Sequence, residues 1–509
     1  MKSEETILFL DTTLRDGEQT SGVSFTDQEK LSIAKLLLED LAVDRIEIAS
    51  ALVSMGELEG ARKITQWAEK KNMLDRIEIL GFVDDDRSIN WIRNAGGEVL
   101  NLLCKGSAKH CTYQLKKTRQ EHVGDIHRVL DKAGQSSLRV HIYLEDWSNG
   151  IQEDPDYVHF MVDQLKDHSV SRFMLPDTLG ILNHQNAYTL CKQMIEWFPD
   201  VAFDFHGHND YDLSVANIYE AIRAGIRCIH TTLNGLGERA GNTPLSSAVA
   251  VIKDHLQLHT NIKEENLYAV CKIVESYSGI RIPQNKPVIG ESVFTQTSGI
   301  HADGDQKHNL YHNKLSPERF NRKRQYALGK LAGKASLKQN LDELGIELDS
   351  ESLRIVTQRI NELGDRKETV TKEDLPYIIA DVLDTKQREE KIQIINYSLS
   401  VAAGLNSVAT LRLRIEGKEY EQSASGDGQY DAFMRALYTI YDRLGKPIAK
   451  LVDYTVTIPP GGKTDALCHT AITWELNGKR FTTIGLDSDQ AIAAIKATTK
   501  MLNLLEFQQ

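Results

Sequence analysis

The stretch "FHGHNDYDLSVAN", residues 205–217, sets His206 and His208 one residue apart and follows them with Asn209 and Asp210. In a strand, side chains at i and i+2 leave the same face, so both imidazoles project to one side. Two neutral imidazoles converging on a point make a pair of divalent-metal ligands. The competing reading is two half-exposed histidines at a strand end. What else reaches that point decides between them.

The surrounding elements bring other polar groups there. Short β-rich runs occur at 7–11, 45–50, 76–83 and 98–103, then at 139–145, 172–176, 201–206 and 226–233. Helix-like stretches lie between them. "TDQEKLSIAKLLLED" opens with Thr26 and Glu29 at capping-box spacing, and "PDYVHFMVDQLKDH" and "NAYTLCKQMIEWF" show apolar residues at helical intervals. Eight strands alternating with helices over about 250 residues predict a (β/α)8 TIM barrel, favoured over an open doubly wound sheet by the even spacing. Such a barrel concentrates function where its strands finish. Those ends carry Asp11, Arg15 and Asp16, then Glu145 and Asp146, then Asp177 and Thr178. The histidine pair follows, and Glu238, Arg239 and Asn242 come after the last strand. An aspartate and two histidines with open positions suit a divalent ion that also binds substrate oxygens. The pair is therefore read as two ligands of one site. "GLGERA" (235–240) matches a dinucleotide-binding pattern, but it follows the eighth strand of a barrel, so its glycines are read as loop glycines.

The chain has 509 residues, with 60 basic against 72 acidic, a net charge of −12 and 41% hydrophobic residues. That leaves room for two or three domains and argues against a nucleic-acid binder. The local exception, "RFNRKRQ" at 319–325, is read as a solvated run in preference to a contact for an anionic cofactor. Six scattered cysteines without a CxxC pair read as reduced thiols of a cytoplasmic protein. "MKSEETILFLDTT" shows no signal peptide, and no stretch approaches membrane-spanning length. After residue 280 the rhythm breaks into a loop-rich stretch to 325, helices over 326–385 and a charged "DTKQREEK" suited to a linker or helix end. A weak repeat then appears. "GKEYEQSASGDGQ" from Gly417 and "GKRFTTIGLDSDQ" from Gly478 each lie between alternating strands and a helix. The expected division is a barrel over 1–280, a helical linker region over 281–390, and an α+β domain with a pseudo-twofold repeat over 391–509.

"DTTLRDGEQ", "FHGHND", "NGLGERAGNTPL" and "FTQTSGIHADG" resemble the signatures of the isopropylmalate, homocitrate and citramalate synthases. The resemblance covers nearly the whole chain, and "YLEDWSNG", "HNDYDLSVAN", "ALGKLAGKAS" and "IPPGGKTDAL" look closest to the citramalate-forming branch. It implies a Claisen-type condensation of acetyl-CoA with a 2-oxo acid at a divalent metal, with manganese, magnesium and zinc all compatible. It further implies that Asp16, His206 and His208 ligate the metal, with Asn242 near or among them. Arg15 would face the developing alkoxide and Thr178 the substrate carboxylate, whereas Asp177 is read as ordering its loop. Glu145 and His301 are assigned jointly as the base system. His301, Asn309 and Tyr311 would come from the partner of a homodimer.

Leu80, Leu103 and Tyr143 would wall the substrate's alkyl group closely enough to select pyruvate, making citramalate the expected product; isopropylmalate synthesis from 2-oxoisovalerate is the alternative. The C-terminal domain argues against the related hydroxymethylglutaryl-CoA lyases, which resemble the barrel alone, and the strand-end set argues against a non-catalytic sensor. That domain resembles the regulatory domain of the synthases. Tyr430, Asp431, Leu451, Tyr454 and Ile458 would bind isoleucine as a feedback inhibitor.

Overall fold

In the computed structural model, which describes residues 6–365, 370–382, 392–457 and 468–507, eight parallel strands close into a barrel in chain order. They are β1 (Leu8–Asp11), β2 (Arg45–Ser50), β3 (Ile77–Phe82) and β4 (Val99–Lys105), followed by β5 (Arg139–Glu145), β6 (Val170–Asp177), β7 (Phe203–Gly207) and β8 (Cys228–Thr231). Leu8 to Asp11 pair with Cys228 to Thr231 to close the ring. The strand ends fall within two residues of those expected from the sequence. Helices lie between them for local reasons. Thr26 and Glu29 form the anticipated capping box ahead of Asp27–Lys35. Asp154 caps Pro155–Leu165, whose proline occupies the first turn, where no N–H is needed.

The inside of this barrel departs from the usual packing of branched aliphatic side chains. Outward residues such as Ile46, Ile48, Ile77 and Ile79 build the main core with the helices. Inside, Leu10, Leu80, Tyr143, Met174 and Cys228 form a small separate cluster. The rest of the interior is a circuit of polar side chains. Arg15 Nε donates to Glu47 (2.6 Å), whose other oxygen accepts from Asn101 (2.8 Å), and Asn101 Oδ1 lies 3.1 Å from His141. His141 stands 3.4 Å from Glu78, which pairs with Arg45, and Arg45 donates to Asp204 (2.6 Å). Asp204 lies 3.3 Å from His230, His230 lies 3.1 Å from the Tyr143 hydroxyl, and Arg15 Nη2 reaches that hydroxyl at 3.4 Å. Opposite charges compensate burial here: Glu78 falls to about 2 because Arg45 and His141 outweigh desolvation.

The chain forms two compact units. Residues up to Phe294 with Asn313–Lys323 make the first, and Thr295–His312 with Arg324 onward make the second. The basic run at 319–325 is not the solvated face expected of it. Arg319 pairs with Asp254 and Glu264, Arg322 donates to the Gly290 and Glu291 carbonyls, and Arg324 pairs with Asp305. In the second unit, helices Lys334–Leu344, Ser350–Asp365 and Leu375–Val382 share a small core around Leu337, Leu341, Val356 and Ile360. A further helix, Gly299–Gln306, occupies a stretch read as loop. "DTKQREEK" lies outside the described residues.

The repeat is two three-stranded antiparallel sheets, Ile392–Ser400, Ser407–Ile415, Lys418–Gly426 and Lys450–Thr457, Cys468–Leu476, Lys479–Asp487. Each is followed by a helix, Gln429–Leu444 and Gln490–Phe507. Sheets and helices share one core that includes Leu411, Phe433, Leu437, Trp474 and Met501. The repeated glycines have a backbone cause. Glu416-Gly417 and Asn477-Gly478 are two-residue hairpin loops with φ positive at all four residues, the pattern that matches strand twist. Gln429 and Gln490, the last residues of the two repeated stretches, each begin a helix. Among the described residues no helix is long and apolar enough to cross a membrane.

Candidate functional site

The turn after β1 carries the first two groups. Arg15 and Asp16 both donate their N–H to the Thr12 carbonyl, at 3.2 and 2.9 Å. The Arg15 guanidinium is then held in three directions, by Glu47, by Asp16 Oδ2 (2.8 Å) and by the Tyr143 hydroxyl. Burial disfavours its charge, but Glu47 and Asp16 more than restore it. Burial likewise disfavours the Asp16 anion, yet Arg15 first, then the two histidines and Asn242, hold the carboxyl well below its ordinary range.

β7 delivers His206, and His208 lies just past its end. Their Nε2 atoms are 3.3 Å apart, and Asp16 Oδ2 lies 3.5 and 4.0 Å from them. Burial pushes His206 far below the ordinary histidine value, with the Asp16 charge opposing, so it is neutral at physiological pH. Asn242 Nδ2 donates to Asp16 Oδ1 (2.9 Å) and to the Leu236 carbonyl (3.1 Å), while its buried Oδ1 meets no donor among the described residues.

This set fits a divalent cation. Two nitrogens about 2.1 Å from one ion stand about 3.0–3.4 Å apart at octahedral to tetrahedral angles, and the two Nε2 atoms stand 3.3 Å apart. Donor atoms of Asp16, His206 and His208 all lie within 4.8 Å of one another, and Asn242 adds an unpartnered amide oxygen. Asp204, Cys228 and His230 meet the same distance criterion. There, however, Arg45 and Arg172 both pair with Asp204 and cancel the charge a cation would need.

A cavity of about 260 Å³ opens above these groups. Arg15, Asp16, Leu80, Leu103, Tyr143, Glu145, Thr178, His206 and His208 line it, joined by Gln19, Ser50, Phe82, Pro176 and Glu238. Leu80 and Tyr143 also belong to the interior apolar cluster, and Leu103 packs against it. Thr178 Oγ1 accepts from the Asp146 N–H (3.0 Å), and the Asp177 carboxylate accepts from the Ile181 and Leu182 N–H groups, ordering its loop. Lys105 at the end of β4 pairs with Glu145.

Sequence reasoning missed Lys105 and Glu47. A lysine at a strand end reads as solvated, but "RIEIAS" alternates charge and isoleucine, and in a strand covered by helices that alternation points the charges inward. In the second unit, the His301 ring packs at a tilt against Tyr311 (ring centroids 4.2 Å apart), its Nδ1 lies 3.3 Å from Gln296, and Asn309 follows on the same segment with positive φ.

That unit has its own cavity, about 600 Å³, lined by Tyr430, Asp431, Leu451 and Tyr454. Ile458 lies outside the described residues. Gln429 and Gln490 also line it, so the starts of both repeat helices face one space. The first turn of Gln429–Leu444 has no side-chain cap, so its N–H groups suit a carboxylate, whereas Asp489 accepts from the Ala491 and Ile492 N–H groups of the second helix. Tyr430 and Tyr454 stack 5.6 Å apart, and the Tyr430 hydroxyl lies 2.7 Å from Thr498.

The HMGL-like family model matches residues 6–274, the homocitrate synthase post-HMGL domain-like model matches 288–368, and the LeuA allosteric (dimerisation) domain model matches 369–506. The chain is 32% identical to an (R)-citramalate synthase of Methanocaldococcus jannaschii, over 98% of this chain and 99% of that one. It is equally 32% identical to a 2-isopropylmalate synthase of the same organism, over 98% and 94%. A protein of Methanopyrus kandleri named as a putative (R)-citramalate synthase matches at 32% over 92% and 89%. The barrel and the C-terminal repeat thus agree with matches along nearly the full length, and the chain belongs to the HMGL-like family, in the group that holds the citramalate and 2-isopropylmalate synthases.

Proposed function

We propose that the protein condenses acetyl-CoA with pyruvate and hydrolyses the thioester, giving (R)-citramalate and CoA. The condensation of acetyl-CoA with a 2-oxo acid follows from family membership, and one observation carries the reading to this chain: Arg15, Asp16, His206 and His208 share a cavity with Thr178 and Glu145. Asp16, His206 and His208, with Asn242 Oδ1 beside them, would hold manganese, magnesium or zinc, which supplies Lewis-acid polarisation of the oxo group. Arg15 points its charge at the oxygen where negative charge grows. Thr178, whose oxygen already accepts from Asp146, keeps its own proton to donate to the substrate carboxylate. Glu145, anchored by Lys105, and His301 together take the methyl proton. The methyl carbon bonds to the oxo carbon, and water then cleaves the thioester to release CoA as the thiol. His301, Asn309 and Tyr311 would be supplied by the partner of a homodimer, in keeping with the matched dimerisation domain. The cytoplasm suits six buried cysteines that form no disulfide.

The relatives divide equally between two oxo acids, so that choice rests on the pocket wall. Leu80, Leu103 and Tyr143 line the pocket, and we read this wall as one that accepts a methyl and crowds an isopropyl group. The test is thiol release from acetyl-CoA across a series of 2-oxo acids. Pyruvate should lead, and Leu80→Ala or Leu103→Ala should admit larger acids by about 1–3 kcal/mol per added methylene. Equal or better turnover of 2-oxoisovalerate by the wild type would replace this reading with isopropylmalate synthesis.

Regulation is the second part of the proposal. The domain over 391–509 binds isoleucine, its carboxylate at the uncapped start of Gln429–Leu444 and its side chain against Leu451 and the tyrosines. Isoleucine should inhibit the wild type, and Tyr454→Ala in the full chain should abolish inhibition while basal turnover persists. Unchanged inhibition in that variant would remove the cavity from consideration.

A further inference from the structure

Arg15 reaches the Tyr143 hydroxyl from the cavity side, and on the other side of that hydroxyl stands His230, buried in the barrel. The proton order along this contact is determined by what each group can do. An arginine only donates, so the Tyr143 oxygen accepts from Arg15. Among the described residues, the other hydrogen-bond partner of that hydroxyl is His230 Nδ1, at 3.1 Å. The Tyr143 proton therefore goes to Nδ1, because the alternative leaves a buried O–H without an acceptor. His230 must then carry its proton on Nε2, which faces Asp204 Oδ2 at 3.3 Å. Asp204 is itself tied by Arg45 and Arg172.

We infer that His230 is a positioning residue: it fixes the Tyr143 hydroxyl, and through it both the Arg15 guanidinium and one wall of the pocket. This rests on the reading that the cavity takes a 2-oxo acid. His230 does not line the cavity; Tyr143 and Arg15 do, as does His206, whose ring the His230 ring meets edge-on (centroids 5.5 Å apart), so the effect of His230 on the cavity passes through these neighbours. Tyr143 is fully buried apart from a few per cent, at 2% exposure. Its ring has little freedom while the hydroxyl is held, and it gains some when the acceptor is removed.

Three full-chain variants and one spectroscopic measurement test this. His230→Phe keeps the ring and removes both contacts. It should lower kcat/KM for pyruvate about tenfold or more, leave KM for acetyl-CoA within about twofold, and narrow the preference for pyruvate over larger oxo acids. His230→Gln can still accept and donate, and should recover to within about threefold of wild type. A histidine needed for folding alone would lower the active fraction for every oxo acid alike and leave the ratio between them unchanged. The ring nitrogen shifts of His230 should show a proton on Nε2 and a bare Nδ1, and Tyr143→Phe should move the Nδ1 resonance. A proton on Nδ1, an unmoved resonance, or a His230→Phe protein with wild-type rates and preference overturns the inference. The tautomer is independent of turnover. If the wild type releases no thiol with any 2-oxo acid, the condensation reading fails and the resonances still decide the role of His230.

Discussion

Asp11 ends β1 fully buried, with Oδ1 accepting from the Thr13 N–H at 2.9 Å and Oδ2 meeting no donor among the described residues. Desolvation raises its pKa from 3.8 to about 7, against the smaller opposing effect of Thr13. A folded value above the unfolded one means stability that is full below about pH 4 and is lost as pH rises through 7. Asp11→Asn should therefore flatten the fall in stability between pH 5 and pH 8, and be the more stable protein at pH 8 by about 2–4 kcal/mol. Urea unfolding at the two pH values measures this, and parallel curves for variant and wild type would refute it. The same residue shows where sequence reading stops. Asp11, Asp16 and Asp177 look alike as strand-end carboxylates, but one is left short of donors, one faces an arginine and two histidines, and one orders its loop. Only three-dimensional neighbours separate them.

Elements were legible to the extent that their causes are local. Capping boxes, proline at a helix start and period-two runs are written within a few residues, so the barrel strands and the repeat emerged close to their true ends. Helix Gly299–Gln306 was not, because "SGIHADGDQ" has two glycines inside a short span and its partners lie elsewhere in the chain. The polar interior was hidden for a related reason. "RIEI" in β2 reads the same whether the charges face water or one another, and closure of the sheet is what makes it the latter. The hairpin glycines offer a test at this scale. A Cβ on Gly478 meets nothing within 4 Å, so Gly478→Ala isolates the cost of a left-handed backbone at φ +77°. The loss should be about 1 kcal/mol, read as a lower midpoint for unfolding of the C-terminal domain. A loss several-fold larger would mean that the turn does more than reverse the chain.

At the scale of the molecule, the circuit of polar side chains has a consequence for how the barrel comes apart. Its members arise from the turn after β1 and from β2, β3, β4, β5, β7 and β8, and Arg172 of β6 joins at Asp204. Glu47 is completed by groups from the β1 turn and β4, and Arg45 of β2 by Asp204 of β7. A half-barrel holds several of these charges without their partners, and drying its interior would cost several kcal/mol for each one stranded. Branched aliphatic layers impose no such condition, since part of a greasy core still buries area in proportion to what has formed. Here the interior is either complete or wet. The barrel should accordingly lose structure as one cooperative unit, with amide protection in β1–β4 and β5–β8 vanishing at the same urea concentration. Hydrogen exchange that released one half at clearly lower denaturant would show that the circuit does not bind the strands into a single event.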